Sequence, residues 1–303
     1  MVDDLRVPPL FAARAPQVLG PEAVPWLAAL PDLAAAYARK WGLTFEGEAM
    51  HGYVGVVQPA RLADGTPVVL KLGWRDEESA DEPLALSTWA GRGAVLLLES
   101  APEDGVLLLE RLDASRTLDD LPLREAIPVI GGLARRLAVP APPSLTRRLR
   151  TEAGSLAEEL PRRWAELGEP FDRRLVGDAV AICRELGPSA DEVLVNEDLH
   201  FENVLAGTRE PWLVIDPKPI AGDLEWGVIP LFWNRFTEST LDDRMALIVA
   251  SQELDAEKAR AWTLVRAVQN WIWMIEEFQE NGEQSDDPAF VTVAEIAPWA
   301  ASR

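Results

Sequence analysis

Residues Val193–Arg235 read VLVNEDLHFENVLAGTREPWLVIDPKPIAGDLEWGVIPLFWNR. Two short apolar runs in it, Val193 to Val195 and Trp212 to Ile215, are rich in β-branched residues and bounded by turn-forming polar residues, which predicts paired strands. Each run leads into an aspartate. Asp198 follows the first, Asp216 ends the second, and Asn203 lies five residues after Asp198 in the loop between them. Such a hairpin delivers two carboxylates and an amide to one end of a sheet. The trio meets the needs of phosphoryl transfer from MgATP: one carboxylate accepts the proton of an acceptor hydroxyl, and the amide oxygen and other carboxylate are hard ligands for Mg²⁺. An Asx-rich turn between two strands is the alternative.

The wider stretch carries a resemblance. Asn196-Glu197-Asp198-Leu199-His200-Phe201-Glu202-Asn203 resembles the H-G-D-L-H-x-x-N catalytic loop of aminoglycoside phosphotransferases. Ile215-Asp216-Pro217-Lys218-Pro219, with Gly222-Asp223, resembles their metal-binding segment. Within that family the chain is similar to the streptomycin 6-phosphotransferases and the hydroxyurea phosphotransferases grouped with them. The likeness extends through Trp89 to Val95, Leu107 to Leu112 and Trp262 to Glu276.

The resemblance implies an α+β, bilobal protein-kinase-like fold. A small β-rich nucleotide-binding lobe is expected over residues 1–112, with the hinge at its end. A larger helical lobe over 113–303 is expected to carry the catalytic loop, metal site and substrate pocket. The implied cofactors are ATP and Mg²⁺, with Asp198 as the catalytic base and Asn203 and Asp216 as metal ligands. The implied acceptor is a hydroxyl of a streptomycin-type aminoglycoside. Hydroxyurea or another small hydroxylated metabolite is the second reading, and a catalytically silent binding protein on a kinase fold the third.

Two positions depart from the family pattern. Asn196 stands where the catalytic loop opens with histidine, and Gly227 where G-D-x-x-[FYW]-D ends in aspartate. Both fall on supports of the loop, while Asp198, Asn203 and Asp216 are kept. The expectation is a working enzyme with a re-braced loop, in which Asn196 bonds backbone groups itself.

Upstream, Tyr53 to Gln58, the Asp64-Gly65 turn and Val68 to Leu72 predict a hairpin. It places Lys71 inside a strand, with Leu70 and Leu72 on the opposite face. A lysine there ordinarily faces solvent; the resemblance makes it the residue that holds the α- and β-phosphates. The loop from Glu46 to Gly55, with glycines at 47, 52 and 55, lies over the nucleotide in this reading or is a flexible hairpin tip. Asp76 to Trp89 has a helical composition, with Pro83 marking a kink or a preceding turn. By resemblance one of its acids pairs with Lys71, Glu82 in preference to Glu78; a solvated helix face is the alternative for both. Val95 to Leu98 and Val106 to Leu109 predict two more strands. They lead to the hinge, where the carbonyl of Glu110 and the N–H of Leu112 are expected to bind adenine.

Beyond the hinge, Arg124 to Ala138, Leu145 to Leu167, Phe171 to Leu186 and Ala256 to Glu280 read as helices, the last capped by Asp255. On it Val265, Val268, Ile272 and Ile275 form an apolar stripe, and Gln269, Trp273 and Glu276 share another face. Trp273 and Glu276 suit a cationic ligand through cation–π contact and charge; a boundary between core and solvent has the same composition. Asp223 is a further candidate for gripping cationic groups, or a turn cap. His200 either donates a hydrogen bond to phosphate, as part of the nucleotide site, or is a structural loop residue.

Lys and Arg total 29 against 50 Asp and Glu, a formal charge of −21. Nucleic acid and anionic membranes are disfavoured as partners. A small cationic or hydroxylated substrate is favoured, although an acidic surface also serves solubility. No apolar run approaches the eighteen residues of a membrane span, and the acidic start MVDDLRVPPLFAARAP does not read as a signal peptide; a cytoplasmic protein, monomer or weak dimer, is expected. The single cysteine, Cys183, excludes an internal disulfide and a Cys-based zinc site.

Overall fold

A computed structural model describes residues 4–281 and 288–302. The chain divides into two compact units, Met1–Asp113 and Ala114–Arg303, one residue past the boundary expected at 112/113.

The first unit opens with helices α1 (Pro9–Val18) and α2 (Ala23–Trp41). A sheet follows, made of β1 (Thr44–Phe45), β2 (Met50–His51), β3 (Gly55–Arg61) and β4 (Pro67–Gly73), then helix α3 (Glu82–Trp89), then β5 (Leu97–Ala101) and β6 (Val106–Glu110). Strand order is β1-β3-β4-β6-β5, with β2 paired to β3. Phe11, Leu30 and Ala34 of the helices and Val56, Val68 and Leu70 of the central strands share one core. Alternation puts these apolar residues on the inner face and leaves Lys71 half-buried on the other.

Helix α3 is shorter than the expected Asp76 to Trp89. Pro83 has no N–H to donate, and the first turn is the one place in a helix where none is required, so the helix begins at Glu82. Residues 76–79 form a turn instead, Asp76 Oδ1 accepting from both the N–H and the hydroxyl of Ser79 at 2.7 Å.

After β7 (Asp113–Thr117), the second unit contains α4 (Leu123–Leu137), α5 (Leu149–Glu166) and α6 (Arg173–Leu186). Four short strands follow: β8 (Val193–Asn196), β9 (Val204–Ala206), β10 (Trp212–Val214) and β11 (Pro219–Gly222). The unit closes with α7 (Pro230–Trp233), α8 (Leu241–Gln252), α9 (Ala256–Asn281) and α10 (Pro288–Ala301). Asp255 caps α9 as expected, its Oδ1 accepting from the N–H groups of Glu257 and Lys258 at 2.9 and 3.0 Å. Trp262, Val265, Val268 and Ile272 are fully buried along it. Among the described residues no helix is long and apolar enough to cross a membrane.

The strands around the key stretch correct the expected pairing. Val193 to Val195 does not pair with Trp212 to Ile215. β8 pairs with β11, Asn196 opposite Pro219, whereas β10 pairs with β9, Val214 opposite Val204. The sequence hides β11 because Pro and Gly bracket it. Proline is tolerated as the first residue of a strand, and the close approach of Gly222 to Leu149 explains the glycine, since a Cβ there would lie 2.5 Å from the leucine Cβ.

Candidate active site

Each unit carries part of the expected set of polar residues. In the first, β4 presents Lys71, whose Nζ lies 2.7 and 2.6 Å from the two carboxylate oxygens of Glu82 at the start of α3. The side chains are 13% and 6% exposed. Glu78 lies in the turn before the helix and is exposed, so the acid paired with Lys71 is Glu82. A pair withdrawn this far from water returns little net stability, which makes a fixed ammonium the better reason for it.

The glycine-containing loop is tied at both ends. At its foot, Glu46 is bound by Arg61 and, at 2.8 Å, by Arg111, whose hydrogen bonds hold its carboxyl below the ordinary carboxylate range. At its tip, the Arg14 guanidinium from α1 donates to the carbonyls of Gly52 and Tyr53 and lies 4.6 Å over the Tyr53 ring. Neither Arg14 nor Arg111 was legible as a loop anchor, because their partners are more than thirty residues away. The Glu110 carboxylate, at the end of β6, accepts from the N–H of Leu96 at 2.8 Å, just before β5. Leu112 is half-buried.

In the second unit the loop expected to be catalytic follows β8. Asn196, at the strand end, accepts on Oδ1 from the N–H groups of Asp198 and Lys218, both at 3.1 Å. Asn203 donates its amide N–H to the carbonyl of Asp198 at 3.1 Å. Its own carbonyl accepts from Ile215 N–H at 2.9 Å, which sets Asp216 one residue from Asn203 across the β9–β10 ladder. Asp216 adopts a left-handed backbone, φ 53°. Such a conformation costs energy in a non-glycine residue and clusters at functional sites. The trio Asp198, Asn203 and Asp216 is thus gathered by two hydrogen bonds through Asn203, one from its side-chain amide to the Asp198 carbonyl and one from Ile215 N–H to its own carbonyl.

The donor set fits Mg²⁺. Asn203 spends its N–H₂ on Asp198, which leaves its Oδ1 as the oxygen available to a ligand, and Asp216 adds a carboxylate two residues past the end of β10. Among the described residues no group of three or more His, Cys, Asp and Glu side chains could hold a metal. Mg²⁺ at a nucleotide takes one or two protein ligands, with phosphate and water completing the octahedron.

Burial raises the Asp198 carboxyl above its ordinary value and Asp216 adds to this, while Lys218 and His200 pull the other way. Lys218 Nζ lies 3.7 Å from Asp198 Oδ2. His200 Nδ1 is buried without a hydrogen-bond partner, so this nitrogen does not hold the loop.

The brace of the loop is Glu197, which the sequence reading passed over. It is 2% exposed and lies between Arg147, which it binds, and Arg266, whose Nη1 is 3.2 Å from Oε2. Trp226 donates its indole N–H to the same oxygen at 2.8 Å. Burial alone would raise this carboxyl, but the two guanidiniums outweigh it and the net direction is down. The only signal in the sequence was an acid where the resembling loop has glycine.

Of the residues expected to grip a cationic substrate, Asp223 is corrected. It is fully buried, with Oδ1 accepting from Asp191 N–H at 2.8 Å and paired with Lys258 at 2.7 Å, and Oδ2 accepting from Trp262 N–H at 2.8 Å. With both oxygens engaged inside the fold, it ties β11 to α9 instead of facing a ligand. Glu276 is held in a fork by Arg163, the Nε–Oε1 arm at 2.8 Å. Trp273 on the same helix is 47% exposed, and the structure does not bring these two residues to Asp223.

A fixed lysine–glutamate pair on a β-rich unit, and two aspartates with an asparagine gathered on a helical one, fit a phosphotransferase of the protein-kinase-like class. The chain belongs to the aminoglycoside/hydroxyurea antibiotic resistance kinase family, whose model matches residues 40–277. It is 44% identical over 270 residues to a hydroxyurea phosphotransferase of Kitasatospora aureofaciens, covering 88% of this chain and 78% of that one. It is 39% identical over 301 residues to a streptomycin 6-kinase of Streptomyces glaucescens, covering 96% of each. Among solved structures, a choline kinase from Streptococcus pneumoniae matches 90% of this chain and 100% of its own with TM-score 0.57 at 15% identity. Spectinomycin phosphotransferase in complex with ADP and spectinomycin matches 89% of this chain and 98% of its own, with TM-score 0.56 at 14% identity. At those identities the likeness establishes the kinase-like fold.

Proposed function

We propose that this protein transfers the γ-phosphoryl group of ATP to a hydroxyl of a streptomycin-type aminoglycoside, with Mg²⁺ held by Asn203 and Asp216. The reading is carried by the trio of Asp198, Asn203 and Asp216 gathered through Asn203, supported by the 39% identity with a streptomycin 6-kinase over nearly the whole chain. The formal charge of −21 also favours a polycationic acceptor.

Asp198 orients the acceptor hydroxyl and takes its proton as that oxygen bonds to phosphorus and the bond to the β–γ bridging oxygen breaks, its electron pair leaving with ADP. Lys71, held by Glu82, positions the α- and β-phosphates, and the loop anchored by Arg14 and Arg111 covers them. His200, with its buried unpartnered nitrogen, is assigned to the phosphate. When bound, Mg²⁺ neutralises charge on the phosphates. Trp273 on α9 is assigned to the acceptor, the exposed indole offering a face to a guanidinium or ammonium group, whereas Glu276 is already bound through both oxygens by Arg163.

The test is mass spectrometry of acceptors after incubation with MgATP, run in parallel with Asp198→Asn. Streptomycin gaining one phosphoryl group with the wild type alone is the expected result. Losing a general base typically costs about 10²–10⁴-fold. Equal product from the variant would overturn the assignment of the base. The 44% identity with a hydroxyurea phosphotransferase makes hydroxyurea the second acceptor to include, and its phosphorylation in place of streptomycin would replace the aminoglycoside reading.

A further inference from the structure

Lys218 lies two residues beyond Asp216, between Pro217 and Pro219. Both of its backbone groups are committed to the catalytic loop. Its N–H donates to Asn196 Oδ1 at 3.1 Å, and its carbonyl accepts from Glu197 N–H at 3.0 Å. Each proline fixes its own φ, and Pro219 further restricts Lys218 to extended backbone. The main chain at 218 is therefore held against the residues on either side of the loop's opening, and the side chain reaches from there to within 3.7 Å of Asp198 Oδ2.

Stability gives little reason for this arrangement. The lysine side chain is 38% exposed and its Nζ stands 3.7 Å from the carboxylate, and an ion pair this long with a part-solvated ammonium contributes at most about 1 kcal/mol. Arg147 and Arg266, which also approach the loop, are both bound to Glu197, so their charge is spent on the brace. Lys218, by contrast, brings its cation to the base itself.

We propose that Lys218 is a catalytic residue for phosphoryl transfer. Its ammonium holds Oδ2 of Asp198, leaving Oδ1 to face the acceptor hydroxyl, and contacts an oxygen of the γ-phosphoryl group, where negative charge is spread in the transition state. The lysine neither gains nor loses a proton in the step; the acceptor proton passes to Asp198 and the bridging-oxygen electron pair to ADP. The segment after Asp216 thereby supplies the phosphate-side cation.

This inference rests on the phosphotransferase reading above, and the test separates the two. Wild type, Lys218→Met and Lys218→Arg are compared by steady-state kinetics with streptomycin, by thermal unfolding, and by calorimetric binding of MgADP and of the Mg²⁺ complex of the imido analogue of ATP. The Met variant is expected to lose about 10²–10³-fold in kcat with its unfolding midpoint unchanged. It should bind the imido analogue about tenfold more weakly and MgADP as wild type does, and the Arg variant should recover most of each loss. Equal analogue affinity in wild type and Met variant, or a kcat loss matched by a lower unfolding midpoint, would overturn the role of Lys218. If no acceptor is phosphorylated but the analogue-specific loss is found, the acceptor assignment falls and Lys218 stands. Transfer to streptomycin undiminished in the Met variant would remove Lys218 alone.

Discussion

A Cβ placed on Gly227 would sit 2.8 Å from the carbonyl oxygen of Asn196. The two positions at which this chain departs from the pattern of its family are therefore in contact, through the main chain of residue 196. The strand end at Asn196 packs directly on the backbone of residue 227, and Val195 Cγ1 would lie 3.0 Å from the same Cβ. Restoring aspartate at 227 alone is expected to force the loop off its position. Gly227→Asp should therefore lower both activity and the unfolding midpoint, by about 1–3 kcal/mol for an overpacked site. Denaturant unfolding together with kcat checks this; a stable, more active variant would show that the two positions are independent.

The lysine–acid pair separates two neighbouring glutamates. Glu82→Gln removes the charge that fixes the Lys71 ammonium, so the KM for ATP should rise and kcat should fall by about 10²-fold. Glu78→Gln, at an exposed turn position, should leave both constants near wild type. Steady-state kinetics on the two variants decides the matter, and a larger effect at Glu78 would reverse the assignment.

Glu197 makes a signed prediction for pH. Its carboxyl is held below the ordinary value of 4.5 by Arg266 and Arg147 despite burial. A group with a depressed folded-state value contributes stability above its unfolded value and loses it as pH falls through the folded one. Wild type should therefore lose stability from about pH 5 downward, whereas Glu197→Gln should show a shallower acid limb. At neutral pH the variant should be less stable by about 3 kcal/mol, since two guanidiniums lose their buried partner. Urea midpoints measured across this range test both statements; parallel pH profiles would mean that Glu197 is not the titrating brace.

Asp223 is predicted to matter for folding and not for substrate. Asp223→Asn removes the nearest of three carboxylates around Lys258, the others being Asp191 and Glu225, and should cost about 3 kcal/mol, with the KM for streptomycin unchanged in the folded fraction. A large rise in that KM with unaltered stability would return Asp223 to the substrate site.

The sequence determined the chemistry and most of the local structure. The D-x-x-x-x-N spacing of Asp198 and Asn203, the strand-ending Asp216, Lys71 between Leu70 and Leu72 on a strand and the capped, striped α9 are all local patterns, fixed by side-chain period and turn chemistry within a few residues. Tertiary structure decided who meets whom. It chose Glu82 over Glu78, paired Val193–Asn196 with a strand disguised by Pro219 and Gly222, buried Asp223 against Lys258 and Trp262, and closed Arg147 and Arg266 around Glu197 from positions 50 and 69 residues away. Charges find partners by proximity in the folded chain, and burial then fixes whether a carboxylate braces the fold or faces a ligand. A linear pattern carries the identity of an acid but not the dielectric around it, and here that environment separates Asp198, half-exposed beside Lys218, from Asp223, sealed within the fold.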